Sequence, residues 1–123
     1  MRIVCISDTH LQHNFKYPVP DGDLLIHAGD FTFNGTKREF EKVSEWFNAF
    51  PHKHKVYTAG NHDWLFEKYP EMGVRIMGSG CRYLADEYLD IEGLRVYGSP
   101  CSLSSATGLL TSPEGQNWLQ SGL

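Results

Sequence analysis

DLLIHAGDFTFNGTKREFEKVSEWFNAFPHKHKVYTAGNHD, residues 23–63, sets out a strand, a helix and a second strand in that order. DLLIHA at 23–28 is mostly apolar and stops at Gly29, as expected of a short strand buried on both faces of a sheet. From Thr36 the period changes. Thr36 and Glu39 make a T-x-x-E capping box, and Phe40, Val43, Phe47 and Phe50 follow at spacings of three and four. This predicts an amphipathic helix ending near Pro51, with those four side chains in the core. KVYTA at 55–59 is the next strand, and a strand, helix, strand unit implies a parallel pair with a right-handed crossover.

Upstream, RIVCIS at 2–7 reads as a further strand buried on both faces, and LQHNFKYPVPDG at 11–22, with two prolines and Asp21-Gly22, reads as a loop. Downstream, EYLDI and LRVYG flank Glu92-Gly93, the pattern of an antiparallel hairpin with a two-residue turn. From Cys101 the composition shifts. The last 23 residues hold five serines, three glycines and a single charged side chain, Glu114. Ser112-Pro113-Glu114 is the pattern that opens a short helix, which would hold Trp118 and Leu119. The organisation expected is a domain over 1–100 followed by a divergent, low-charge tail over 101–123.

Length and composition bound the function classes. A chain of 123 residues, 41% apolar, is one compact unit with enough core to fold without staples. Three distant cysteines, Cys5, Cys81 and Cys101, form no C-x-x-C pair and fit a reducing compartment as buried thiols. The apolar run Ile3 to Ile6 is interrupted by Asp8 and His10 too soon for a signal peptide or a membrane span, so a soluble, cytoplasmic chain is expected. Eleven basic against fifteen acidic side chains give a net charge of −4, and no Lys/Arg run supplies a nucleic-acid-binding patch.

The chemistry lies where the strands end. Asp8 and His10 follow the first strand, Asp30 the second, and Asn61, His62 and Asp63 the third. In a parallel sheet these ends share one edge, and ligands of open α/β sheets bind in the crevice beyond it. Asp8 and His10, two apart, point to one side if the segment is extended. Gly29 precedes Asp30 and Gly60 precedes Asn61, and glycine permits a sharp strand-to-loop turn. Singly, Asp8 and Asp30 would be turn-capping carboxylates; jointly, metal ligation is the better reading. His27, inside an apolar strand, is expected to be a core histidine with a backbone hydrogen bond. His13, His52 and His54 are expected to be solvated, with a minor chance that His13 meets substrate. Phe31, Phe33 and Trp64 adjoin the ligand blocks and are assigned to packing rather than to stacking on a nucleobase.

Ser7-Asp8-Thr9-His10, Gly29-Asp30 and Gly60-Asn61-His62-Asp63 resemble the D-x-H, G-D and G-N-H-[DE] blocks of the calcineurin-like metallophosphoesterase superfamily, over about residues 2–100. LLIHAGDFT and AGNHDWLF resemble in particular a subgroup of small metallophosphoesterase-domain phosphodiesterases. The resemblance implies an α/β fold: a layered β-sandwich flanked by helices, here incomplete at its C-terminus. It also implies a metal-dependent phosphoesterase that hydrolyses small-molecule phosphate esters, phosphodiesters in particular, by a metal-activated hydroxide. Asp8 and His10 would hold a first metal, Asp30 would bridge two, and Asn61 would hold the second; Mn, Fe or Zn suit such a donor set. His62 would face the leaving group as a catalytic acid or electrostatic partner, with Asp63 orienting its ring. The family pattern continues with further histidines, whereas His62 is the last one here, so the scheme leaves the second metal only Asp30 and Asn61. The alternative is a truncated, catalytically weak or inactive member that binds metal or a partner.

Overall fold

A computed structural model describes residues 1–11 and 18–101. The elements in chain order are β1 (Ile3–Ile6), β2 (Leu24–His27), α1 (Lys37–Asn48), β3 (His54–Tyr57), α2 (Trp64–Lys68), α3 (Pro70–Met77), β4 (Arg82–Tyr83), β5 (Glu87–Ile91) and β6 (Leu94–Gly98). Strands β1 to β4 form one sheet in sequence order, and every pairing in it is parallel. β5 and β6 form a separate antiparallel hairpin with Ile91 opposite Leu94. The α/β class expected from the sequence is the one observed. The expectations for His13 and for the tail beyond Cys101, its proposed helix included, lie outside the described residues.

The helix starts where its capping box says it should. Thr36 Oγ1 accepts from Glu39 N–H at 3.2 Å, and Thr36 N–H donates to Glu39 Oε1 at 3.2 Å. Phe40, Val43 and Phe47 are buried as expected, while Phe50 is only partly covered. Their core lies between the helices and one face of the parallel sheet, with Val4, Leu25, Tyr57, Phe66 and Met77. A second, smaller core of Leu24, Val56, Leu84 and Ile91 joins the opposite sheet face to the hairpin. The layers are therefore helices, parallel sheet and hairpin.

Three expectations are corrected by the structure. β2 is buried on both faces, but β1 alternates: Val4 is inside, whereas Ile3 and Cys5 are exposed. Ile3 and Cys5 pair in register with Leu24 and Ile26, on the face that the hairpin covers farther along, and among the described residues the hairpin core does not extend to β1. Cys5 is thus an exposed thiol rather than a buried one, and Cys81 and Cys101 are half-buried. Nor are His52 and His54 solvated loop residues. His52 is buried with Nε2 donating to the Pro20 carbonyl at 2.9 Å, and His54 opens β3 with Nε2 3.0 Å from Glu92 Oε2. Among the described residues, no helix is long and apolar enough to cross a membrane.

Candidate metal centre

The C-terminal ends of β1, β2 and β3 carry the three motif blocks, and backbone hydrogen bonds zip the first two together. Asp8 N–H donates to Gly29 O at 2.9 Å, His10 N–H to Asp30 O at 3.1 Å and Leu11 N–H to Phe31 O at 2.8 Å. The segment Asp8–Leu11 is not extended. Asp8, His10 and Leu11 have φ of 56°, 44° and 62°, and Asp30 has 59°, so the side chains converge through left-handed kinks and not through the alternation of a strand. Such backbone is costly for residues with side chains and persists only where surrounding contacts over-determine it. Gly29, with φ of 110°, makes the turn. Gly60 acts differently: a Cβ there would strike Asp30 Oδ1 and the Asp30 backbone, so its lack of a side chain lets the third block lie against the second.

Asp8, His10 and Asp30 each bring a ligand atom within 4.8 Å of the others. His10 Nε2 is 4.0 Å from Asp8 Oδ1. The Ser7 hydroxyl, donating to it, holds the Asp8 carboxyl below its ordinary value. The Asn61 amide lies against Asp30, its nitrogen donating to both carboxylate oxygens at 3.1 Å. Two carboxylates and an imidazole nitrogen converge here beside the Asn61 amide, and that donor set fits a divalent metal.

Tautomers separate buried His27, half-buried His10 and exposed His62 at the rim. His10 Nδ1 lies 2.9 Å from the Thr32 carbonyl, which can only accept, so Nδ1 carries the proton and Nε2 offers its lone pair toward Asp8. His62 Nδ1 donates in the same way to the Phe33 carbonyl at 3.0 Å, freeing Nε2. His27 has the opposite arrangement: Nδ1 accepts from Gly29 N–H at 3.1 Å, so Nε2 donates to Thr9 Oγ1 at 2.9 Å. It has no lone pair to spare, and burial drives its pKa down to about 3. Stacked on Phe31 at 3.5 Å between centroids, it is the core histidine the sequence suggests.

Asp63 does something other than orient His62. That ring's partner is the Phe33 carbonyl. The Asp63 carboxylate, 1% exposed, accepts from the backbone N–H groups of Asp30, Phe31, Thr32 and Gly60 and from the Thr32 hydroxyl, at 2.8 to 3.3 Å. Burial pushes its pKa up, while the donors from Gly60, Thr32 and Phe31 pull it down. The residue therefore staples the second block to the third. His62 N–H completes the junction by donating to Asp30 Oδ1 at 2.9 Å.

Thr32 escaped sequence reading, and Glu39 and Phe33 do more than it assigned to them. Thr32 holds His10 through its carbonyl and Asp63 through its hydroxyl. Glu39 accepts from Phe33 N–H at 3.0 Å and Asn34 N–H at 3.2 Å, tying the rim to α1. Phe33 packs on one side only, its ring stacked on His10 while 53% of the residue is exposed, whereas Phe31 is 1% exposed and fully packed. The D-F-T-F run after Gly29 was the available signal, but it does not say which aromatic points outward.

Residues 1–121 match the family described as calcineurin-like phosphoesterase. A UPF0046 protein of Caenorhabditis elegans is 42% identical over 115 residues, which is 81% of this chain and 41% of that protein. A second UPF0046 protein of the same organism is 43% identical over 113 residues, 80% of this chain and 38% of the relative. The human metallophosphoesterase domain-containing protein 1 is 35% identical over 121 residues, 80% of this chain and 37% of its own length. The chain thus spans about two-fifths of the length of these relatives.

Proposed function

The chain belongs to the calcineurin-like phosphoesterase family, and on that premise we propose that it hydrolyses small-molecule phosphate esters, phosphodiesters in particular, with divalent metal. The observation that supports this reading best is the convergence of Asp8, His10 and Asp30 within 4.8 Å, with the His10 lone pair turned inward. Asp8, His10 and Asp30 would hold one ion, with Asp30 and Asn61 as the donors of a second. Bound there, Mn, Fe or Zn supplies Lewis acidity, neutralising phosphoryl charge and lowering the pKa of water toward neutrality. His62, its Nδ1 proton committed to Phe33, has Nε2 free to accept or, once protonated, deliver a proton at the leaving oxygen. Asp63 keeps the blocks in place from beneath. Three free cysteines are in keeping with a reducing, cytoplasmic setting.

The test is hydrolysis of aryl phosphate mono- and diesters with added Mn²⁺. Wild type should turn over only with metal, His62→Ala should fall by about 10²–10⁴-fold, and Asp30→Ala should fall at least as far. Equal rates in all three proteins would sink the reading. One observation favours the alternative of a weak or inactive metal-binding member: among the described residues the second position has only two oxygen donors, Asp30 and Asn61. Calorimetric titration separates the two, since two tight ions per chain exclude that alternative.

A further inference from the structure

A large apolar side chain in water is ordinary on its own. Phe33 is not placed in an ordinary way. One face of its ring stacks on His10 at 5.1 Å between centroids with 21° between planes, yet 53% of the residue remains exposed. His10 in turn meets the His62 ring edge-on at 5.1 Å. The Phe33 backbone is fixed at both ends, its N–H donating to Glu39 Oε2 at 3.0 Å and its carbonyl accepting from His62 Nδ1 at 3.0 Å. The sequence thus puts a pre-ordered aromatic surface beside both the inward-facing imidazole and the ring proposed to serve the leaving group. The two neighbouring aromatics do not share this position: Phe31 is buried, and Trp64 is half-buried with Lys68 Nζ 5.9 Å from its ring centre.

We propose that Phe33 is a specificity-determining residue whose open ring face takes up an aromatic group carried on the phosphate ester. The inference rests on the phosphoesterase reading above and adds to it a substrate class, phosphate esters of aromatic groups over those of small alkyl groups. An offset or edge-on ring pair adds about three- to tenfold in affinity beyond simple burial. Phe33 loses little rotamer freedom on binding, because its backbone and one face are already held.

The test uses two non-hydrolysable ligands, phenylphosphonate and methylphosphonate, titrated calorimetrically into the full chain with saturating Mn²⁺, in wild type, Phe33→Leu and Phe33→Tyr. Wild type should favour the phenyl ligand by about three- to tenfold or more, Phe33→Tyr should keep that ratio, and Phe33→Leu should bring it close to one. No preference in wild type overturns the proposal, as does a ratio that is the same in all three proteins, because a merely structural Phe33 would weaken both ligands alike. If neither phosphonate binds and hydrolysis is absent as well, the phosphoesterase reading fails and this inference falls with it. Binding of both without preference removes the role of Phe33 alone.

Discussion

The hairpin turn and the metal-site rim both hold residues in left-handed backbone, but they hold them by different means. At the turn, Glu92 and Gly93 have φ of 47° and 84°, the geometry of a two-residue hairpin loop whose twist matches the strands it joins. The conformation is local, and a Cβ added at Gly93 would meet nothing within 4 Å. At the rim, Asp8, His10, Leu11, Gly29 and Asp30 are held by one another across about twenty residues of sequence, and from below by Asp63. Turn strain here is a property of a short sequence, while rim strain is a property of the whole fold.

That contrast can be broken most forcefully at Gly29. Alanine there would need φ near 110° and would place a Cβ 2.6 Å from Gly60 N, so Gly29→Ala should cost about 3 kcal/mol or more in urea unfolding. A loss under about 1 kcal/mol would mean that the rim is as local as the turn. Next comes Asp63→Asn. It keeps the size but turns an amide toward buried N–H donors, and should cost about 2–3 kcal/mol while weakening Mn²⁺ binding, although Asp63 is not proposed to touch the ion. Metal affinity unchanged by this substitution would show that the staple is not needed to align the donors.

A pH experiment sharpens the comparison further. His27 is neutral and buried, with its pKa driven from the ordinary 6.5 to about 3. Between those values the unfolded chain binds a proton that the native chain refuses, so this contribution is complete above about pH 6.5 and is lost as pH falls toward 3. Below about pH 5.5 the extra slope approaches 1.4 kcal/mol per pH unit. His27→Gln should flatten the acid limb of stability by that amount, measured by urea midpoints from pH 7 to 4.5; parallel limbs would contradict a ring held neutral by burial. The smallest effect is expected at the turn, where Gly93→Ala should cost only about 1 kcal/mol, strain without collision.

What the chain reveals unfolded follows the same division. The Thr36/Glu39 capping box, the Phe40–Val43–Phe47 spacing and the Glu92-Gly93 hairpin are local patterns, and each stands where the sequence puts it. The sequence reading left residues 64–86 unassigned, because five-residue α2 and two-residue β4 are too short to carry a period. The convergence of Asp8, His10 and Asp30 was legible from strand order, but its cause was not, since left-handed backbone at Asp8 and His10 depends on bonds to Gly29 and Asp30. The part Asp63 plays was hidden for a related reason. A carboxylate next to His62 suggests an imidazole partner, and only the folded chain shows four backbone amides pointing at it. Whether Cys5 faces water or core turns on how far the hairpin reaches, which no residue near Cys5 encodes.

The burial of Asp63 also has a reach beyond its hydrogen bonds. Together with Asp8 and Asp30 it concentrates acidic groups at one end of the sheet, and among the described residues no lysine or arginine forms an ion pair with any of the three. A patch of one sign, partly shielded from water, draws small cations from solution before any ligand bond exists. Ion capture should then quicken as ionic strength is lowered, with the release rate far less affected.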